Sequence, residues 1–473
     1  MLNLANCLKT SVAEEFADAE LGDPRRTRRL QRIVTHAMAN PAAGFPQMFG
    51  DGSELEGLYR FLRNENVDAD DILEPHINAT LARMRQVEGP CLVAHDTTDF
   101  VFGGLRKRAG LGVVNKQQQG FLGHFALAVI PGEERLPLGV CGLHRIVRDQ
   151  IKGSRDKSWW EMANDPTRES LRWLDLVQEV EEQRSGFECI HLMDREGDNY
   201  DLFALLMQLE TRFVIRACHD RALADAARLM PHLQKAKPIA HRTILLSERL
   251  KGRDRTGRKN KKHPRRKGRS AKVAISACTA ELRRPQSAHV EERTLKLNVV
   301  RVWEPKPPAG EPAVSWILYT TEPIDTVEQI LQIVDYYRSR WVIEEFFKAL
   351  KTGCSIEKRQ LESYRSLSNA LSMLIPVAWR LLLARSIVTF APDLPAQAVV
   401  DAVELNLLAH RLELKALPTT AKEALYAVAK LGGHLCRNGS PGWLTLGRGF
   451  EALLLMKIGW LAAQAIQKRS DQS

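Results

Sequence analysis

Paired cysteines, long uninterrupted apolar runs and a leader-like start are all missing from this sequence. Its eight cysteines are scattered, with no C-x-x-C pair and no histidine cluster near them. Neither a disulfide framework nor a structural zinc site is therefore expected, and a reducing cytoplasm fits the pattern. No long apolar stretch follows a basic start, so no signal peptide is predicted.

The longest apolar stretches lie near residues 371–384 and 452–463. They are interrupted by Pro376, Arg380 and Lys457, and each is expected to be too short to span a bilayer. They are predicted to be core or interface helices instead.

The chain carries a concentrated positive charge. Residues 249–272 hold thirteen Lys or Arg against the single acid Asp254, while the formal charge of the whole chain is +11. The rest of the chain therefore sums to about −1, so the basic character belongs mostly to one segment. Such a segment indicates contact with a polyanion.

The length of 473 residues allows two or three hydrophobic cores. Residues 1–70 are predicted to form a helical domain, in which Asp23 caps a helix that begins at Pro24. Strands and crossover helices over 71–365 indicate an α/β domain, with a β insertion at 219–314 that contains the basic loop. Residues 366–473 are predicted to be helical.

Two short apolar strands are predicted to end in an aspartate. Residues 91–95 lead into Asp96, and residues 189–193 lead into Asp194. Because functional sites of α/β sheets lie at strand ends, these carboxylates are candidates for one site. For either aspartate alone, a turn or a helix cap is the simpler interpretation.

A helix is predicted over residues 335–353. Tyr337, Arg340, Glu344 and Lys351 follow helical steps and share one face. Arg340 and Glu344 are four residues apart, which is the spacing of an ordinary helix ion pair. The same face also has the groups needed to grip a phosphate backbone beside a metal ligand.

Three carboxylates without a histidine or cysteine partner suit a hard cation such as Mg²⁺ or Mn²⁺. Two such ions about 3.5–4 Å apart can activate a water or a 3′-hydroxyl in phosphoryl transfer. Asp96, Asp194 and Glu344 are therefore the predicted catalytic and metal-binding set.

Three blocks of this sequence resemble the catalytic motifs of DDE transposases. They are Asp96-Thr-Thr, Asp194-Arg-Glu-Gly-Asp198, and Tyr337-x-x-Arg340-x-x-x-Glu344-x-x-x-x-x-x-Lys351. The last is similar to the tyrosine–arginine–glutamate–lysine signature of the bacterial insertion-sequence (IS-four) group. The resemblance covers most of residues 15–365, but residues 115–122 and 385–430 depart from the family pattern.

The resemblance implies an α/β, ribonuclease H-like catalytic core with a β-rich insertion, flanked by helical N- and C-terminal domains. It also implies three groups of DNA contacts. These are Arg25, Arg26 and Arg29 for the terminal inverted repeats, Tyr337, Arg340 and Lys351 for phosphates of the transposon end, and Arg216 and Trp316 for a flipped base of a DNA hairpin. Without the resemblance, Trp316 would be assigned to the core.

The predicted function is cut-and-paste DNA transposition through a hairpin intermediate, followed by strand transfer into target DNA. The expected cofactor is Mg²⁺, two ions per active site, with Mn²⁺ able to substitute. The expected partners are double-stranded DNA and a second copy of the chain, without a membrane, in the bacterial cytoplasm at the nucleoid. The predicted dimer surface is helical and contains Trp443, Leu444, Phe450, Leu453, Leu454 and Trp460.

Three alternatives remain at the level of sequence. A related nuclease or junction resolvase should lack the tyrosine–arginine–lysine pattern around Glu344. A catalytically inactive regulator derived from a transposase should have lost an acid or the N-terminal arginines. A carboxylate-based glycosidase would not need the basic segment.

Overall fold

A computed structural model describes residues 6–9, 11–49, 51–104, 107–115, 118–148, 171–246, 267–435 and 439–470. The basic segment predicted to contact a polyanion lies outside these residues from 249 to 266. By its internal contacts the described chain divides into two units. The first contains residues up to 148, residues 176–188 and residues from 341 onward, and the second contains residues 171–175 and 189–340.

The first unit begins with helices. They are α1 (Asn6–Lys9), a 3₁₀ helix (Val12–Phe16), α2 (Pro24–Ala39), α3 (Phe45–Met48), α4 (Gly52–Arg63) and α5 (Ala69–Met84). As predicted, Asp23 caps α2, with its Oδ1 accepting a hydrogen bond of 2.8 Å from the backbone N–H of Arg25.

Four antiparallel strands follow in this unit. They are β1 (Cys91–Val101), β2 (Gly112–Asn115), β3 (Gln118–Val129) and β4 (Pro137–Ile146), with β3 pairing all three others. Strands β3 and β4 form an antiparallel hairpin, and Gly132 takes a positive φ of 106° in its turn. The helix α6 (Arg172–Glu182) comes next, and its residues are divided between the two units.

The strand containing Asp96 is longer than predicted. Instead of ending at residue 95, β1 continues to Val101, so Asp96 lies in its middle. The cause is pairing: residues 96–101 of β1 face residues 120–125 of β3. At Gly120 an added Cβ would lie 2.0 Å from the carbonyl oxygen of Phe100, so only glycine permits this close approach.

The second unit contains one sheet with the strand order β5–β6–β10–β9–β8–β7. The strands are β5 (Cys189–Met193), β6 (Phe213–Arg216), β7 (Ala240–Leu246), β8 (Arg269–Arg283), β9 (Thr294–Trp303) and β10 (Ser315–Thr320). The β5–β6 pair is parallel and the other pairs are antiparallel. The helices are α7 (Tyr200–Gln208), α8 (Leu229–Lys235) and α9 (Val327–Ser339). The predicted β insertion is thus seen as strands β7 to β9.

The helix predicted over residues 335–353 is interrupted. Helix α9 ends at Ser339, α10 (Trp341–Lys348) follows, and a π-helical turn (Ala349–Gly353) completes the segment. Arg340 caps α9 with right-handed helical dihedral angles. The prediction of one continuous helix was wrong because apolar periodicity persists through a short interruption and through a widened turn.

The remaining chain of the first unit is helical. It contains α11 (Tyr364–Phe390), α12 (Ala402–Arg411), α13 (Ala421–Leu431) and α14 (Trp443–Ser470). Helix α11 is the centre of this unit's core, where the Trp379 ring is fully buried.

Two helices in the described part of the chain are long and apolar enough to cross a membrane on length and composition alone. The apolar window of Tyr364–Phe390 is 94% buried within the protein, as in a core helix, whereas that of Trp443–Gln467 is 11% buried. The expectation that both stretches are too short was therefore wrong. The predicted core role holds for the first of them.

A buried polar network connects the 3₁₀ helix near the N-terminus to α5. The Glu15 carboxylate accepts a hydrogen bond of 2.7 Å from Arg83 and lies 2.9 Å from Nδ1 of His76. Arg83 also donates to the carbonyl oxygen of Leu138 at 2.6 Å and stacks on Trp379, with 4.2 Å from its guanidinium carbon to the ring centroid. The N-terminal segment is thereby held on the core of the first unit.

Candidate active site

Asp96 and Glu344 both belong to the first unit, where packing of aromatic rings relates them. Asp96 faces Phe125 across the β1–β3 pair, so their side chains project from the same face of the sheet. The rings of Phe346 and Phe347 lie 5.7 and 5.5 Å from the Phe125 ring. Helix α10 is therefore packed on the face that carries Asp96.

Within α10, Glu344 is three residues before Phe347, so both project from neighbouring positions of one helix face. The contact between Phe347 and Phe125 thus directs Glu344 toward the side of the sheet where Asp96 lies. Two carboxylates on one side of a sheet form a donor set that suits a hard divalent cation. The donor chemistry in the first unit fits such an ion.

Lys351 lies in the π-helical turn and is pinned to the end of β1. Its ammonium donates to the carbonyl oxygen of Asp99 and lies 5.5 Å from the centroid of the Phe100 ring. Glu357 is 3.8 Å from the Lys351 ammonium and accepts a hydrogen bond of 3.0 Å from the N–H of Val101. Sequence reasoning missed Glu357, because no motif includes it.

Asp194 directly follows β5 in the second unit, as predicted. It caps a short 3₁₀ turn (Arg195–Gly197), and its Oδ1 accepts a hydrogen bond of 2.8 Å from the N–H of Glu196. The carboxylate of Glu196 pairs in turn with Arg172 at 2.9 Å. The helix-cap alternative therefore describes part of what Asp194 does.

Four predicted DNA-contacting residues of the second unit come together around Tyr337. The Trp316 ring lies 6.1 Å from the Tyr337 ring, and the Arg216 guanidinium is close enough to the Tyr337 hydroxyl to act on its pKa. Burial raises the pKa of that hydroxyl, while the charges of Arg340 and Arg216 act in the opposite direction. The Trp316 side chain is only half-buried, so the core interpretation does not describe it fully.

The same cluster brings positive charge beside Asp194. Burial lowers the pKa of Arg216, and the nearby charges of Arg195 and Arg340 lower it further, whereas Tyr337 raises it. Asp194 is close enough to raise the pKa of Tyr337. Aromatic rings and guanidinium groups gathered beside a carboxylate form a surface that suits a nucleic-acid strand.

The three N-terminal arginines occupy different environments. Arg25 is exposed, whereas Arg26 donates to the carbonyl oxygens of Leu21 at 2.7 Å and Asn66 at 3.3 Å. Arg29 is half-buried against α4, where a Cβ at Gly57 would lie 2.6 Å from its Nη1. Through these two hydrogen bonds, Arg26 also stabilises the helical domain that contains it.

The residues of the predicted dimer surface differ in how far their side chains are exposed in the folded chain. Trp443 and Leu453 are buried, Phe450 and Leu454 are half-buried, and Leu444 and Trp460 are exposed. Further along α14, the side chains of Leu455, Ile458, Leu461 and Ile466 are 49–68% exposed.

Two protein-family models match the chain. One, described as a transposase DNA-binding domain, matches residues 9–67, and the other, described as a transposase DDE domain, matches residues 169–379. Among solved structures, a cryo-EM structure of the piggyBac transposase synaptic complex with hairpin DNA is similar at 10% sequence identity and a TM-score of 0.37. That similarity covers 90% of this chain and 79% of the other.

The two family matches cover separate segments of the chain. They confirm the predicted ribonuclease H-like α/β class and the predicted DNA partner, and enzymes with this domain depend on divalent metal ions. The chain contains a transposase DNA-binding domain and a transposase DDE domain, and it is a DNA-cleaving and strand-transferring enzyme of cut-and-paste transposition.

Proposed function

We propose that this transposase belongs to the insertion-sequence (IS-four) group, resembling the composite transposon Tn-five, and that it cuts DNA through a hairpin intermediate. The observation that carries the proposal is the cluster of Arg216, Trp316, Tyr337 and Arg340 beside Asp194. A half-buried indole next to two guanidinium groups suits an extruded base with its flanking phosphates.

In the proposed reaction, water first cleaves the phosphodiester bond at one strand of the transposon end and leaves a free 3′-hydroxyl. That hydroxyl attacks the phosphate of the opposite strand, and the bond to the flanking DNA breaks as the hairpin closes. A second water opens the hairpin, and the regenerated 3′-hydroxyl then attacks a target phosphodiester. Each step exchanges one P–O bond for another, and no oxidant or reductant is needed.

We assign metal binding and catalysis to Asp96, Asp194 and Glu344, with two Mg²⁺ ions that Mn²⁺ can replace. Support comes from the carboxylate-only donor set and from the packing of α10 on the face of the sheet that carries Asp96. When bound, the ions would supply positive charge that activates the attacking oxygen and stabilises the leaving oxygen.

The proposed DNA contacts fall into three groups. Arg25, Arg26 and Arg29 recognise the terminal inverted repeats, Tyr337, Arg340 and Lys351 hold phosphates of the end, and Arg216 and Trp316 accommodate the flipped base. The proposed domains are residues 1–70 for end binding, 71–365 for catalysis with the insertion at 219–314, and 366–473 for dimerisation.

We propose that the enzyme acts as a homodimer on two DNA ends, with α14 as the contact between subunits. Support comes from the apolar side chains that α14 exposes, at Leu455, Ile458, Leu461 and Ile466. An unpaired apolar helix face of this kind is typical of an interface. In this proposal a second copy of the chain, and not a membrane, covers the apolar face of α14. The proposed location is the bacterial cytoplasm at the nucleoid.

The test is incubation of the full chain with linear DNA that carries the element's inverted repeats, with Mg²⁺. Nicked, hairpin and strand-transfer products are expected in that order on denaturing gels. Separate Asp96→Ala, Asp194→Ala and Glu344→Ala variants should bind the ends and not cut them. Tight binding by the wild-type chain without hairpin products would refute the hairpin route, and cleavage by any of the three variants would refute that assignment.

A further inference from the structure

Helix α10, which carries Glu344, is also held by polar contacts outside its aromatic packing. Glu345, the residue after Glu344, accepts a hydrogen bond from the Lys348 ammonium one turn later. Its second carboxylate oxygen lies 3.4 Å from the guanidinium of Arg385 in α11. Glu344 and Glu345 are about 100° apart around the helix axis, so a contact that fixes one also fixes the direction of the other.

Arg385 connects this carboxylate to α14. Its guanidinium carbon lies 4.5 Å from the ring centroid of Trp443, the first residue of α14, and the Trp443 side chain is 7% exposed. The end of the π-helical turn approaches the same ring: a Cβ at Gly353 would be 3.5 Å from the Cβ of Trp443. The Gly353 end of this segment therefore approaches the start of α14 directly, whereas the Glu345 end is connected to it through Arg385.

The ion pair itself contributes little to stability. The side chains of Arg385 and Glu345 are each 35% exposed, and pairs with this exposure are weakened by solvent and salt. Helix α10 has only eight residues, with Phe347 packed on one side and Glu345 tethered on nearly the opposite side. Together these contacts restrict rotation of the helix about its axis, which sets the direction of the Glu344 carboxylate.

We propose that Arg385 is a positioning residue that couples α14 to Glu344 through Trp443 and Glu345. The stack of Arg385 on Trp443, formed within the single chain, holds α10 in the rotation at which Glu344 completes the metal site. The inference rests on the proposed role of Glu344 as a metal ligand.

The first test is Arg385→Gln, which keeps the side-chain length and removes the charge. First-strand nicking on pre-bound linear ends should slow by about 10- to 100-fold, because a small misplacement of a reacting group has effects of this size. The Mg²⁺ concentration for half-maximal nicking should rise, while end binding in a gel shift stays within about twofold of wild type, since Arg385 itself contacts no DNA in this proposal. The matched control is Arg411→Gln, the same charge loss at an exposed helix end, which should nick at the wild-type rate.

A reciprocal exchange separates positioning from a general structural role. Glu345→Arg and Arg385→Glu should each slow nicking. In the double variant the ion pair is restored with reversed charges, so the loss in the logarithm of the nicking rate should be at most half of that in the single variants. Arg385→Lys, which keeps the charge and loses the flat stacking surface, should fall between wild type and Arg385→Gln.

The outcomes distinguish this inference from the proposed function. If Glu344→Ala nicks DNA at the wild-type rate, the metal-ligand assignment fails, and the coupling fails with it. If Glu344→Ala is inactive but Arg385→Gln nicks at the wild-type rate with an unchanged Mg²⁺ requirement, only the coupling is refuted. A double exchange that is no faster than the slower single variant would also refute it.

Discussion

Replacement of Glu15 by Gln tests whether the buried network holds the N-terminal segment on the core. Burial acts to raise the pKa of this carboxyl, but hydrogen bonds and charges of His76 and Arg83 outweigh burial and lower the pKa from 4.5 to about 2. A shift of this size corresponds to about 3 kcal/mol of stability at neutral pH. Removal of the charge also leaves the Arg83 guanidinium, 11% exposed, without its anion, which costs a similar amount of about 3–5 kcal/mol.

The sign of the pH dependence follows from the direction of the shift. Because the folded pKa of Glu15 is depressed, its contribution is complete above pH 4.5 and is lost as the pH falls from 4.5 toward 2. Burial also lowers the pKa of His76, so its contribution is complete above 6.5 and declines below that value. Both groups make the folded chain less stable in acid.

The assay is urea unfolding of wild type and Glu15→Gln between pH 7 and pH 3.5, followed by tryptophan fluorescence. The variant should be less stable by about 3 kcal/mol at pH 7, and this difference should shrink below pH 4.5. Glu74→Gln, an exposed acid on α5, is the matched control and should stay within about 0.5 kcal/mol of wild type. A Glu15→Gln variant with wild-type stability at pH 7, or with a pH-independent difference, would refute the reasoning.

Three further predictions concern DNA recognition and packing. Gly57→Ala should displace the flexible Arg29 guanidinium and weaken binding to the inverted repeats several-fold. The melting temperature should stay unchanged or rise, because alanine is more favourable than glycine in a helix interior by about 1 kcal/mol. Unchanged affinity in a gel shift would contradict a role of Arg29 in recognition. Trp316→Ala should nick ends at a rate within about threefold of wild type. Its rate of hairpin formation should fall roughly tenfold or more, because stacking of a base contributes about 1–3 kcal/mol. Equal losses of rate in both steps would contradict the base-stacking role. Arg359→Met should lower the free energy of unfolding in urea by about 2–4 kcal/mol. The buried guanidinium donates to the carbonyl oxygens of Ala43, Pro41 and Cys354, and the substitution would leave these oxygens without that donor. The control Lys358→Met, at an exposed position, should have little effect.

Local chemistry explains which parts of the site could be predicted from the sequence. An apolar run followed by an acid marks the end of a buried strand, and this pattern located Asp194 correctly after β5. The same pattern failed for Asp96, because Thr97, Thr98 and Asp99 are polar and still belong to β1. Their strand conformation comes from pairing with β3, about 25 residues later in the sequence, and no local propensity reports such a pairing.

Long-range contacts account for the rest. The periodicity around Arg340 correctly indicated helix, but it did not reveal the break after Ser339 or the π-helical turn that positions Lys351. Glu357 and the proposed positioning residues Arg385 and Trp443 were not found from the sequence because their contacts lie on other elements of the fold. Glu345 is rotated by about 100° from Glu344 around the helix axis, and its carboxylate pairs with Arg385. The residues predicted from motifs are thus those proposed to touch DNA or metal, whereas those that orient them become visible only once the chain is folded.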